Sequence, residues 1–232
     1  MPSTVSLSAV HHDSRDQARR RGADPALYVA IVQIAAMCGS LGSRSANRQA
    51  LDLAIERLSS EGRADNIVDV PLMHVPMLDP DLIDDPPDDV AHMRSLLEAA
   101  DGVLLAAPEY AGGLAGGIKN ALDWLVGSAS IYRRPFVVLS AGTTGGRFAI
   151  EQLVRTLSWQ GALTVGTLGI SAPSTKMQPG GGFVDEDTVQ AIERWADDLA
   201  AAISMSPDAL LERVARVVTP FGIDPARFGD LR

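Results

Sequence analysis

Three segments rich in glycine and hydroxyl groups stand out in this sequence as places where chemistry could be done. The first, residues 39–48, reads Gly-Ser-Leu-Gly-Ser-Arg-Ser-Ala-Asn-Arg. Glycines let the main chain turn sharply. Serine hydroxyls, an asparagine amide and the unpaired N–H groups of a helix start together suit a phosphate. Ser40, Ser43, Ser45 and Asn47 carry those hydroxyl and amide groups, and Arg44 and Arg48 bring positive charge to an otherwise acidic chain. The same residues also read as an ordinary connection that caps a helix. The second segment, residues 108–117, is Pro-Glu-Tyr-Ala-Gly-Gly-Leu-Ala-Gly-Gly, followed by Ile-Lys-Asn-Ala-Leu-Asp-Trp. Four glycines strip side chains from the backbone, so a flat ligand could approach main-chain N–H and C=O groups; the alternative is a flexible turn. The third, residues 140–147, is Ser-Ala-Gly-Thr-Thr-Gly-Gly-Arg, which offers hydroxyl and backbone donors or is a plain turn before a helix.

Something must bring these segments together. A continuous apolar run over 28–37 suits a strand buried on both faces, as a parallel sheet requires. Further short apolar runs at 67–70, 103–107, 136–140 and 164–170 predict four more strands. Between them lie stripes at helical spacing: Ala50, Leu51, Ala54, Ile55 and Leu58; Val90, Met93, Leu96, Leu97 and Ala100; Ile118, Ala121, Leu122, Leu125 and Val126; Ile150, Leu153, Val154 and Leu157. Val189, Ile192, Ala196, Leu199 and Ile203 close the series. Strand alternating with helix predicts an α/β three-layer sandwich, a five-stranded parallel sheet with helices on both faces. In the strand order 2-1-3-4-5 the switch point falls between strands one and three, and the three segments converge there. Residues 1–26 read as a mobile tail and 27–204 as the ligand-binding domain. Residues 205–232 read as a C-terminal helix, capped by Ser206, and an apolar arm with Phe221, Ile223, Phe228 and Leu231.

Composition narrows the chemistry. With 232 residues, 46% hydrophobic and 21% charged, the chain can bury one sizeable core. A net charge of −9 argues against nucleic acid as a partner. Cys38 is the only cysteine, so an intrachain disulfide or a multi-cysteine metal site cannot form, and it reads as a small core residue. No apolar run is long enough for a membrane span, and no secretory signal is visible, so a cytoplasmic, soluble protein is expected. Lys119 and Lys176 are the only lysines, and neither follows a glycine in a P-loop pattern. The dinucleotide fingerprint and the nucleophile elbow are also missing, although Asp69 stands where a ribose-binding acid would. The acidic segment 79–89 reads as a solvated connection.

At Pro108-Glu109-Tyr110-x-Gly112-Gly113 with Lys119-Asn120-Ala121-Leu122-Asp123-Trp124 the sequence resembles the NADPH-dependent FMN reductase family of flavodoxin-like proteins. The resemblance runs from about residue 28 to 203. It implies a flavodoxin-like fold and FMN as cofactor. NADPH or NADH would be the electron donor, and a quinone or free flavin the acceptor. By the same resemblance the FMN phosphate would lie at Ser40, Ser45 and Asn47, with Arg48 possible and Arg44 as a substitute for a basic residue that many relatives carry at Gly42 or Ser43. The ring would lie along Pro108, Glu109, Tyr110, Ala111, Gly112 and Gly113, and along Ser140, Gly142 and Gly145. Ala111 stands where many relatives have Asn, and Ala115 where Pro is frequent. The resemblance also implies a homodimer or homotetramer, with Trp124 as a partner-facing anchor. No side chain is expected to act as an obligatory acid or base. Two other readings of the residues are a non-enzymatic flavoprotein, either electron carrier or redox-responsive module, and an α/β protein that has lost flavin binding. Arg147 and Lys176 are candidate contacts to a 2′-phosphate.

Overall fold

The computed structural model describes residues 31–42 and 44–229. The expected N-terminal tail, the start of the first strand at Tyr28, Ser43 and Leu231 lie outside the described residues. Seven strands and six α-helices follow in chain order: β1 (Gln33–Cys38), α1 (Ala46–Ser60), β2 (Asn66–Asp69), α2 (Asp88–Ala99), β3 (Gly102–Ala106), β4 (Glu109–Tyr110), β5 (Gly113–Leu114), α3 (Gly116–Trp124), β6 (Pro135–Gly142), α4 (Arg147–Trp159), β7 (Leu163–Ser171), α5 (Glu186–Ile203) and α6 (Pro207–Val218). The main sheet is parallel with order β2-β1-β3-β6-β7, the doubly wound flavodoxin-like arrangement.

The apolar runs become strands because both faces are covered. Every residue of β3 is buried, as are Ile34, Ala35, Ala36 and Met37 of β1. β1 begins at Gln33, later than its apolar run, because its neighbours begin there: Gln33 pairs with Asn66 and Ile34 with Gly102. Ile31, ahead of the first paired residue, is exposed. α1 and α5 pack together on one face, and right-handed crossovers carry α2, α3 and α4 to the other. Ala50, Leu51, Ala54 and Leu58 on α1 and Ile192, Ala196 and Leu199 on α5 are buried as the stripes predict, whereas Ile55, Val189 and Ile203 are half-buried, and Val126 of the third stripe lies beyond the end of α3 and is exposed.

Two expectations need correction. The glycine-rich second segment is a small antiparallel hairpin, in which Glu109 pairs with Leu114 and Tyr110 with Gly113. Ala111 and Gly112 turn it with φ of 51° and 70°, the left-handed pair that a two-residue hairpin demands. Trp124 does not face outward. It is fully buried, and its indole N–H donates to the Pro76 carbonyl at 2.7 Å, so it anchors the β2–α2 connection rather than a partner.

At the C-terminus the Ser206 hydroxyl accepts from Ala209 N at 3.4 Å, capping α6 as expected. Arg213 Nε donates to the Val165 carbonyl at 2.7 Å, occupying part of the open edge of β7. Ile223 and Phe228 join the core, so this arm docks on its own domain.

Candidate functional site

Backbone bonds tie the origins of the three segments together at the carboxyl ends of β1, β3 and β6. Gly39 N donates to the Ala106 carbonyl at 2.8 Å, and Ala107 N to the Leu139 carbonyl at 2.9 Å. Gly39 also lies against the second segment. A Cβ there would stand 3.1 Å from Ile118 Cβ and 3.3 Å from Ala107 Cβ, so the close approach of the two chains depends on glycine.

The first segment ends at the N-terminus of α1. Ser45 occupies the N-cap with extended backbone, yet its hydroxyl makes no capping bond, and the first turn carries no acidic side chain. The positive end of the helix dipole and the first-turn N–H groups are therefore available to an anion. Ser40 and Ser45 are half-buried here and Arg44 is exposed. Arg48 is turned away. Its guanidinium bonds Asp69 at 2.7 Å and Asp52 at 2.6 Å, which together hold it well above the ordinary arginine range, Asp69 contributing most. The same pairing occupies Asp69, which therefore does not stand free as a ribose-binding acid. Asn47 is buried, and both polar atoms of its amide are engaged by Ala141 on β6.

The hairpin is fastened to α4 from both strands. Glu109 Oε2 accepts from Phe148 N at 2.7 Å and Ala149 N at 3.2 Å, while the Thr144 hydroxyl donates to Oε1 at 3.3 Å. Leu114 N donates to Gln152 Oε1 at 2.9 Å. The N-terminus of α4 thus already holds a carboxylate, leaving α1 as the open anion site among the two helix starts. Pro108 is buried, Gly113 is half-buried, and Tyr110, Ala111 and Gly112 are exposed at the rim beside Phe148.

In the third segment Gly142 and Gly145 shape the turn. The Gly142 carbonyl accepts from Gly145 N and Ala172 N, each at 3.1 Å. Gly145 and Gly146 have φ of 81° and 67°. Ser140 lies beneath them, fully buried, and its hydroxyl has no hydrogen-bond partner. A Cβ on Gly146 would fall 2.0 Å from that oxygen, so Ser140 supports the turn from below and does not line the groove.

The structure also shows bonding that sequence reasoning passed over. Asn120 and Trp124, one helical turn apart on α3, both donate to the Pro76 carbonyl at 2.7 Å, and Asn120 Oδ1 accepts from Leu78 N at 2.9 Å. Their four-residue spacing was the available signal. Gln152 and Phe148 on α4 share the same spacing and face the hairpin. Cys38 bonds the Ser40 carbonyl at 3.5 Å, and burial pushes its thiol above the ordinary range, which suits an inert packing role. Among the described residues no group of three or more His, Cys, Asp or Glu could hold a metal.

A family model for NADPH-dependent FMN reductases matches residues 32–175, which span β1 through the turn after β7 and contain all three segments. The chain belongs to the NADPH-dependent FMN reductase family. Among curated relatives it is 32% identical over 120 residues to an NAD(P)H:quinone oxidoreductase of Solanum tuberosum, covering 50% of this chain and 62% of that protein. It is 27% identical to a 2-hydroxy-1,4-benzoquinone reductase of Burkholderia over 73% of this chain and 95% of that protein. Among solved structures it is similar to FerB, a flavoenzyme NAD(P)H:(acceptor) oxidoreductase from Paracoccus denitrificans, with a TM-score of 0.61 and 26% identity, over 75% of this chain and 97% of that one. The chain spans less than two thirds of the length of the first curated relatives it matches. The residues present fit the cofactor named by this reductase family: an uncapped helix start with two serines and a free-standing arginine suits its phosphate, and a hairpin with small side chains at its tip leaves main chain exposed to a flat ring. No described helix is long and apolar enough to cross a membrane.

Proposed function

We propose that this protein is an FMN-dependent oxidoreductase that takes a hydride from NADPH or NADH and passes electrons to a small acceptor such as a quinone or free flavin. Residues 27–204 are the flavin-binding domain, and the working unit is a cytoplasmic homodimer or homotetramer. The observation that carries this reading is the uncapped start of α1, held at the sheet's switch point beside two glycine-rich segments. Ser40, Ser45, Arg44 and the first-turn N–H groups hold the phosphate. The flavin ring would lie along the exposed main chain of the hairpin tip and of residues 142–145.

When bound, FMN supplies the redox chemistry, and the protein supplies position and electrostatics. Glu109, Ser140 and Arg48 serve the frame: the carboxylate fixes the hairpin to α4, the hydroxyl underlies the third turn, and the guanidinium neutralises Asp52 and Asp69 beside the first segment. Backbone N–H groups of these two segments would stabilise negative charge on the reduced ring. Tyr110, with 61% of its surface exposed, and Phe148, with 48%, border the space through which nicotinamide and acceptor enter in turn. Steady-state NADPH oxidation measured against varied benzoquinone tests this. Parallel double-reciprocal lines are expected, since donor and acceptor react in separate half-reactions. Intersecting lines, or no turnover with added FMN, contradict the proposal.

A further inference from the structure

Asn47 is 3% exposed and bridges parts of the chain 94 residues apart. Its Oδ1 accepts from Ala141 N at 2.8 Å, and its Nδ2 donates to the Ala141 carbonyl at 3.0 Å. The position of Ala141 explains the pairing. Leu139, two residues earlier on β6, receives Ala107 N, the last backbone bond offered from the end of β3. Backbone groups two residues apart point to the same side of a strand, so Ala141 faces the same way after β3 has run out. The asparagine amide stands where the next peptide of that strand would be, and completes the ladder.

Asn47 is also the second residue of α1, within the open first turn. Ala141 adjoins Gly142, whose carbonyl sets the third turn through Gly145 N and Ala172 N. Resting on the flavin reading above, we infer that Asn47 is a positioning residue for FMN. Its side chain fixes the phosphate-holding start of α1 relative to the ring-bordering third segment, acting through Ala141 and leaving the phosphate to the main chain of that turn. Both of its polar atoms are engaged, and leaving either half of the Ala141 pair unsatisfied inside the fold is costly enough to shift the strand end.

The test compares FMN with riboflavin, which lacks the phosphate, by fluorescence titration of the full-length wild type and Asn47→Ala. Loss of the two hydrogen bonds shifts the end of β6 that carries the third segment, so riboflavin weakens several-fold, and FMN, which spans both segments, by about tenfold or more. Loss of FMN affinity alone identifies a direct phosphate ligand and overturns the inference. Unchanged affinities with a lowered melting temperature reduce Asn47 to packing and overturn it as well. Should the variant not fold, amide hydrogen exchange at Ala141 in the wild type decides. Protection that persists with no flavin, with riboflavin and with FMN supports the strut, whereas deprotection on adding FMN shows Asn47 turning to the phosphate. A wild type that binds neither flavin overturns the flavin assignment itself, and this inference with it.

Discussion

Glu109 offers a sharp test of how the site is framed, because its carboxylate was expected at the cofactor and lies on the N-terminus of α4. Replacing it with alanine removes two charge-assisted bonds, to Phe148 N and Ala149 N, and a weaker one from Thr144 at 3.3 Å. Loss of an N-capping side chain costs about 0.5–2 kcal/mol, and loss of a negative charge at a helix start about 0.3–1 kcal/mol. The hairpin is half-exposed and water can replace part of the bonding, so about 1–2.5 kcal/mol is expected in total. For a chain of this size each kcal/mol lowers Tm by about 2–4 °C, so Glu109→Ala should melt about 2–10 °C lower. Glu109→Gln keeps an acceptor oxygen and loses only the charge, so it should fall between alanine and wild type, and its deficit should shrink in high salt. Thermal unfolding followed by circular dichroism at low and high ionic strength reads all three. Equal melting of wild type, glutamine and alanine variants would refute the capping role and return Glu109 to the list of direct cofactor contacts.

Ala111 pays for a left-handed backbone that asparagine adopts more readily. Ala111→Asn should therefore stabilise the protein by about 0.5–1 kcal/mol, read as a higher midpoint in urea; a lower midpoint would show the turn is not strained. Trp124→Phe removes the indole donor to Pro76 and leaves a void in a fully buried position, for about 2–4 kcal/mol of lost stability. Limited proteolysis should then cut first in the β2–α2 connection, and unchanged cleavage would place the anchor elsewhere. Cys38, with its thiol raised by burial, should react slowly with a thiol reagent at pH 8 in the folded protein and quickly in denaturant. Because the folded thiol holds its proton more tightly than the unfolded one, its contribution to stability is complete below the unfolded value and is lost as pH rises toward the folded one. Equal labelling rates with and without denaturant would contradict the burial.

Most of the sheet could be read from the order of apolar runs and stripes, because a strand covered on both faces has no polar alternation and each intervening helix shows its 3.6-residue face. The site was legible in its location and less so in its bonding. Asn47, Glu109 and Ser140 were named as candidate cofactor contacts, but what their polar atoms do depends on partners far away in sequence, such as Ala141 for Asn47. The hairpin escaped because its strands are two residues long, too short for any period, and because alanine sits where a turn signal would be asparagine. Trp124 was expected to face a partner on the strength of the resemblance, and its true cover is a non-periodic connection, held through Pro76 and Leu78, that leaves no pattern in the sequence.

The central claim is that the open start of α1 and its two neighbouring segments hold FMN for reduction by a nicotinamide. An absorbance spectrum of purified protein with one equivalent of FMN, taken before and after anaerobic addition of NADPH and then NADH, tests it most directly. The account predicts a shifted flavin spectrum that bleaches on adding at least one nicotinamide. A spectrum identical to that of free FMN, unchanged by either nucleotide, would contradict it.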